Sequence, residues 1–168
     1  MVEITAGPDP IPAKQWPNVP LSRLWHRPVL IPFHQALKGN KMKNKVEELI
    51  EQSRYILTLE EGWDEEDGLP VNKAIWETAT SFLRAYVKYI DKHYGFSFEL
   101  PEINPLRDGS IDLEWRTSKG RLLINFNEKH PHEASFYGDR YADEDCIKGN
   151  VDVKEVKEHL AIWMKNCL

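Results

Sequence analysis

Apolar side chains occupy every second position on both sides of a polar turn: Ile111, Leu113 and Trp115 before it, and Leu122, Ile124 and Phe126 after it. A period of two is typical of β-strands that bury one face. The segment therefore predicts an antiparallel hairpin with Trp115 and Phe126 in the core. An isolated hairpin is marginal in water, so we expect a third strand and covering helices. The third strand is predicted around Ala134, Phe136 and Tyr137, pairing with residues 122–127.

Helical periodicity lies on both sides of this hairpin. Apolar positions three and four residues apart predict helices at about 42–59 and 73–93 and a last helix after residue 152. The buried face of the second helix should consist of Ile75, Ala79, Phe82, Leu83, Tyr86, Val87 and Ile90. We expect Asn72 to cap its beginning and Gly95 to end it. The predicted fold is therefore α+β: two helices, a three-stranded antiparallel meander and a C-terminal helix.

The first 38 residues differ in composition from the rest. They contain seven of the eleven prolines, which disfavour regular helix until after Pro32. The predicted organisation is a proline-rich, extended N-terminal arm, 1–38, and a single α+β domain, 39–168. The arm also contains the apolar residues Trp25, Leu30, Ile31 and Phe33, which have to be covered. The arm either packs on its own domain or uses these residues to bind a partner.

Charge also distinguishes the N-terminal segment from the rest of the chain. Residues 1–45 carry seven Lys/Arg and two Asp/Glu, a net charge of +5, whereas residues 46–168 carry fifteen and twenty-five, a net charge of −10. An acidic body repels nucleic acid, so only the basic segment with Lys38, Lys41, Lys43 and Lys45 could bind it. The apolar runs are far shorter than the ~18 residues that span a bilayer. With two cysteines and no signal-like segment, the sequence predicts a cytoplasmic protein without a membrane partner.

An acidic segment, EEGWDEEDGLPV, separates the first two predicted helices. Its carboxylates lack the alternating spacing of a calcium loop, so the sequence predicts a helix–helix loop. Trp63 either fills the gap between the helices or contacts a partner. The predicted partner-binding residues of this loop are Trp63, Asp64, Glu65, Glu66 and Asp67.

One pair of histidines offers possible chemistry. His130 and His132 flank Pro131, and on a strand they would point the same way and could bind zinc with a third ligand. Neither the close Cys/His pairs of structural zinc nor the helical His spacing of hydrolytic zinc occurs. A phosphate-binding glycine loop and a nucleophile elbow are also missing from the sequence. No cofactor is therefore predicted, and a polar turn is the alternative interpretation of the two histidines.

Two blocks of the sequence together resemble a known family. GWDEEDGLPVNKAIWETATSFL, followed by PEINPLRDGSIDLEW and GRLLINF, is similar to an uncharacterised, widespread prokaryotic family with a Gly-Trp-Asp loop and an Asp-Gly/Leu-Glu-Trp hairpin, over residues of about 54–126. Members commonly have a glycine soon after Gly-Trp-Asp, where this chain has Glu65. The resemblance implies an accessory protein of defence or toxin-like operons and transfers no catalytic residue.

These observations favour a non-enzymatic interaction protein, with a regulatory or antitoxin-like, defence-associated role. Its expected partner is another protein, such as one encoded nearby, or a second copy of itself. A metal-dependent hydrolase that uses His130 and His132 is the alternative function. Nucleic-acid binding through the basic N-terminal segment is the third.

Overall fold

Five antiparallel strands form one sheet in which spatial order follows chain order. The computed structural model describes residues 33–95, 98–142 and 146–167. Its strands are β1 (Glu102–Pro105), β2 (Ile111–Arg116), β3 (Gly120–Phe126), β4 (Glu133–Arg140) and β5 (Cys146–Asp152). The α+β class is confirmed, as are the predicted hairpin, now β2 and β3, and the pairing of its second strand with β4.

The predicted three-stranded meander is wrong, because β1 and β5 extend the sheet on both sides. Neither strand has a clear alternating pattern. β1 has four residues, ends at Pro105, and buries only Ile103. In β5, a glycine at position 149 stands between the apolar residues Ile147 and Val151 and breaks their alternation. A Cβ atom at Gly149 would lie only 3.3 Å from the Phe136 ring. These two strands are defined by main-chain pairing with their neighbours and not by their own side-chain pattern.

Three α-helices accompany the sheet: α1 (Phe33–Gln52), which continues as a 3-10 helix (Ser53–Thr58), α2 (Lys73–Tyr94) and α3 (Glu158–Cys167). α1 begins earlier than the predicted start near residue 42, so residues 33–38, which the sequence assigned to the arm, are helical. The predictions for Trp25, Leu30 and Ile31 lie outside the described residues, as does that for the Phe33 side chain. Among the described residues, no helix has the length and apolar character needed to cross a membrane.

Helix α2 follows its sequence signals closely. The Asn72 side chain accepts a hydrogen bond from the Ala74 N–H at 2.8 Å, and Gly95 ends the helix in the left-handed conformation. Both are the expected terminal residues, because these positions satisfy main-chain groups that the helix leaves unpaired. The seven predicted positions of the buried face are all buried.

Helices cover one face of the sheet. Phe82 of α2 packs edge-to-face on Phe126 of β3, with ring centroids 5.2 Å apart. Trp163 of α3 lies against Gly138 of β4, where a Cβ atom would come within 2.9 Å of its ring. Because side chains alternate along a strand, every second residue points away from the helices. We call this second surface the open face.

Across the open face runs one row of polar residues, one from each strand in register: Asn104, Asp112, Asn125, Ser135 and Asn150. Ser135 and Asn150 are exposed, whereas Asp112 is only 7% exposed. The fold thus separates an apolar, helix-covered face from a polar one.

Candidate functional site at the acidic end of the sheet

Three loops meet at one end of the sheet: the β1–β2 and β3–β4 connections lie there because alternate turns of an antiparallel meander fall at the same end, and the loop before α2 contacts the first of them. They are the acidic loop (residues 59–72), the Asp-Gly turn (residues 106–110) and the β3–β4 loop (residues 127–132). We call the three loops, with Glu133 at the start of β4, the acidic end. It contains nine Asp/Glu and two Lys/Arg, a net charge of −7.

Hydrogen bonds join the three loops to one another. The Leu69 N–H donates to the Arg107 carbonyl oxygen at 2.8 Å, which fixes the acidic loop to the Asp-Gly turn. The Asn72 side chain donates to Glu128 at 2.9 Å and so connects the acidic loop to the β3–β4 loop. The third connection is a 3.3 Å hydrogen bond from the Asn127 side chain to Asp108. The acidic end is therefore one connected surface.

Asp64 organises the acidic loop from within. Its Oδ1 atom accepts hydrogen bonds from the N–H groups of Glu66 at 3.1 Å and Gly68 at 2.9 Å. The Gly62 N–H donates to the Gly68 carbonyl oxygen at 2.8 Å and closes the loop. Burial opposes ionisation of Asp64, but these N–H groups and the nearby Arg107 outweigh it and lower its pKa below the usual value.

Trp63 is fastened inside the same loop. Its indole N–H donates to the Leu69 carbonyl oxygen at 3.1 Å, and the residue is half-buried. The contacts of Trp63 and Asp64 thus shape the loop, whereas Glu65, Glu66 and Asp67 are exposed on it. Binding of a partner by these five residues stays a prediction.

Arg107 connects the Asp-Gly turn to the acidic loop by charge. Its Nε atom lies 2.7 Å from Asp64 Oδ2, and its Nη1 atom lies 2.5 Å from Glu66 Oε2 and 3.9 Å from Asp67 Oδ1. Exposed ion pairs contribute little to stability, but a guanidinium shared among carboxylates fixes their positions. Among the described residues, Glu65 makes no ion pair.

Glu65 has an unusual backbone conformation. It is the one non-glycine residue with positive φ in the described part of the chain, at +67°. The left-handed region costs an L-residue about 1–2 kcal/mol because Cβ approaches the following carbonyl oxygen. The resemblance described under Sequence analysis, which stays a prediction, would place a glycine near this position. The loop retains the conformation typical of glycine while presenting a carboxylate.

The Asp-Gly turn needs its glycine for contact with the acidic loop. Gly109 has φ of +79°, and a Cβ atom there would lie 3.2 Å from the Pro70 carbonyl oxygen. Asp108 Oδ1 accepts hydrogen bonds from the Ser110 hydroxyl at 2.5 Å and from its N–H at 3.1 Å. The Ser110 hydroxyl is the main cause of the lowered pKa of Asp108.

Beside this turn, the open face contains a buried carboxylate, that of Asp112. Burial raises the pKa of Asp112, although a 2.8 Å hydrogen bond from the Asn125 side chain favours its charged form. The second amide hydrogen of Asn125 is donated to the Ser110 hydroxyl oxygen, at 3.1 Å. Asn125 therefore joins the polar row to the Asp-Gly turn.

The two candidate zinc ligands lie in the β3–β4 loop and not on a strand. His130 and His132 are both exposed, and their carbonyl oxygens accept hydrogen bonds from the N–H groups of Glu133 and Val153, each at 3.1 Å. Within residues 33–95, 98–142 and 146–167, no three His, Cys, Asp or Glu side chains are arranged to hold a metal ion. The fold does bring the β3–β4 loop, with its two histidines, to the same end of the sheet as the acidic loop.

The lysines of the third predicted function lie on α1. Lys41, Lys43 and Lys45 are exposed, and the Lys38 side chain is outside the described residues. Arg107 and Asn125 are not among the site residues predicted from the sequence. One sequence signal was available for Arg107: it is a basic residue directly before Asp-Gly in a strongly acidic body. No sequence signal pointed to Asn125.

No protein-family model matches the chain, and neither a curated protein nor a solved structure matches it. The resemblance to the Gly-Trp-Asp family therefore stays a prediction. One structural observation bears on its two blocks: the Gly-Trp-Asp loop and the Asp-Gly turn are in direct contact, through Leu69 and Arg107.

Proposed function

We propose that this chain is a non-enzymatic interaction protein that binds a second protein with a basic surface through the acidic end. A regulatory or antitoxin-like accessory role in a defence system is the biological setting that the family resemblance implies. The observation that carries the proposal is the fixed arrangement of excess negative charge, nine carboxylates against two cations, on three joined loops.

Concentrated charge favours association with a basic protein in two ways. Carboxylates within about 8 Å of one another act together at physiological ionic strength, because the Debye length is of that size. Their summed field also steers an oppositely charged partner and rejects acidic ones. Both effects are larger when the charged loops are already ordered, since less conformational entropy is lost on binding.

The backbone of Glu65 supports a role for the acidic loop itself. Strained conformations persist where the surrounding structure over-determines them, and they cluster at functional sites. Glycine would adopt the same backbone without strain, whereas glutamate adds a carboxylate at the exposed part of the loop. This position therefore has a higher backbone energy and a greater negative charge than the glycine alternative.

The test compares matched charge reversals in the full-length chain. Glu65→Lys/Asp67→Lys changes the acidic end, and Glu48→Lys/Glu99→Lys makes the same change in net charge at exposed positions elsewhere. Each tagged variant is recovered from its native host, and the co-purifying proteins are quantified at salt concentrations from about 50 to about 300 mM. We expect one protein to be recovered with the wild type and the control, to decrease with salt, and to be lost with the acidic-end variant.

Equal recovery of that protein with both variants would refute the role of the acidic end. Salt-insensitive recovery that is lost when Trp25, Leu30, Ile31 and Phe33 are replaced by serine would assign partner binding to the apolar arm. If the recovered protein is the chain itself, size-exclusion chromatography of a mixture of tagged and untagged copies identifies a second copy as the partner.

A further inference from the structure

A small polar pocket lies where the open face meets the acidic end. It has a volume of about 100 Å3 and is lined by Asn125, Asn127, His130, Glu133, Ser135 and Asn150. The residues come from β3, β4, β5 and the β3–β4 loop, so the sheet register sets their spacing. Sites for whole small molecules are typically about 300–1,000 Å3. This pocket matches the end of a side chain better.

The hydrogen bonds around the pocket leave oxygen acceptors directed into it. Asn125 donates both amide hydrogens away from the pocket, to Ser110 and Asp112. The Ser110 hydroxyl hydrogen is directed to Asp108, so its oxygen accepts from Asn125 and fixes the orientation of that amide. The side-chain oxygen of Asn125 accepts no hydrogen bond among the described residues, and Asn125 lines the pocket beside Ser135, its neighbour on β4 in the register.

Further acceptors come from β4 and β5. The side-chain amide of Asn150 donates a hydrogen bond to Glu133 Oε2 at 3.4 Å. The side-chain oxygen of Asn150 and Glu133 Oε1 have no protein partner among the described residues. Ser135, between Asn125 and Asn150 in the register, adds a hydroxyl. The pocket therefore offers one carboxylate, two amide oxygens and one hydroxyl at fixed positions.

The surrounding charge favours a cation. Asp152 is the direct cross-strand neighbour of Glu133, and Glu133 is itself one of the nine carboxylates of the acidic end, whose net charge is −7. A planar guanidinium group has five N–H donors in a fixed fork and matches several separate acceptors, whereas an ammonium group is a compact point charge with three. Hydrogen bonds from a guanidinium to a carboxylate are also about twice as strong as neutral ones.

We propose that this pocket binds the guanidinium group of an arginine side chain of the partner protein. The proposal rests on the proposed function and adds the side chain that the partner uses. Glu133 neutralises the guanidinium charge, while Asn125, Ser135 and Asn150 accept its remaining N–H groups.

The test titrates N-acetyl-L-argininamide into the 15N-labelled full-length chain and follows the side-chain amide signals of Asn125, Asn127 and Asn150 by NMR. We expect saturable shifts with a millimolar dissociation constant, weaker by about tenfold in Glu133→Gln, where the charge-assisted hydrogen bond is lost. Glu48→Gln is the matched control and should bind as the wild type does. Linear shifts without saturation, or equal affinity in Glu133→Gln, would overturn the proposal.

Two further comparisons decide the chemistry of the side chain that the pocket binds. Equal affinity for N-acetyl-L-lysinamide would overturn the guanidinium assignment, and equal affinity for the neutral citrulline analogue would overturn a cation site altogether.

The pocket and the proposed function can fail separately. If the probe saturates the pocket but Glu133→Gln leaves recovery of the partner unchanged, the partner assignment is overturned while a guanidinium site stands. If the probe does not bind and the partner is still lost on charge reversal of the acidic loop, the pocket is overturned and the proposed function stands.

Discussion

Replacing Trp115 by alanine tests the assignment of the two faces of the sheet. Trp115 lies on β2, is 1% exposed, and donates its indole N–H to the Glu99 carbonyl oxygen at 3.0 Å. Its ring also packs against Phe98, with centroids 6.5 Å apart. Removing a buried aromatic ring costs about 3–5 kcal/mol, since the cavity that it leaves closes only in part.

A loss of that size is a large fraction of the total stability of a domain, which is about 5–15 kcal/mol. We therefore expect the midpoint of urea unfolding, followed by far-UV circular dichroism, to fall strongly. Trp115→Phe keeps one aromatic ring but removes the second ring and the N–H, so it should cost less than Trp115→Ala, about 1–3 kcal/mol from the smaller cavity and the lost hydrogen bond together.

The control is the next residue on the same strand. Arg116 points to the open face and is exposed, so Arg116→Ala should change the free energy of unfolding by no more than about 0.5 kcal/mol. A cost below about 1 kcal/mol for Trp115→Ala, or a larger cost for Arg116→Ala, would show that the faces are assigned the wrong way round.

Three further predictions concern the acidic end and its neighbours. Glu65→Gly should stabilise the chain by about 0.5–1 kcal/mol in urea unfolding because glycine adopts positive φ freely, whereas Glu65→Ala should not; equal effects would argue against backbone strain. Asp112→Asn should raise the free energy of unfolding at pH 7, because it removes the cost of a buried charge. This gain should shrink as the pH falls through the raised pKa of Asp112, since protonation removes the same charge in the wild type. A gain that is independent of pH would contradict this prediction. Replacing His130 and His132 together by alanine should leave the unfolding midpoint unchanged, and mass spectrometry for metals should find no stoichiometric zinc in the purified wild type; about one zinc per chain, lost in the double variant, would favour the hydrolase.

Asp64 and Asp108 should contribute to the loss of folding stability at low pH. Asp64 and Asp108 have lowered pKa values in the folded chain, so the stability that they contribute is complete above their unfolded pKa and is lost as the pH falls through the folded one. Asp112 acts in the opposite direction. In urea unfolding as a function of pH, Asp108→Asn should therefore reduce the loss of stability on acidification, whereas Asp112→Asn should not.

The sequence by itself determined the elements whose signals are local. Helix α2 was predicted with both terminal residues and seven of its nine buried positions, because caps and the 3.6-residue period depend on neighbours within one or two turns. The β2–β3 hairpin was predicted for the same reason, since alternation and a short polar turn define it within nineteen residues, Asp108 to Phe126.

Only the tertiary structure decided the edges of the sheet and the composition of the acidic end. β1 and β5 form by pairing with neighbours, and Gly149 of β5 makes room for Phe136, a residue of the adjacent strand. Likewise, Arg107 of the Asp-Gly turn meets Asp64 of the acidic loop, and Asn125 of β3 meets Ser110, which is 15 residues away in the chain. Contacts of this kind leave no periodic trace in sequence, because each residue is selected by a neighbour that the fold brings to it.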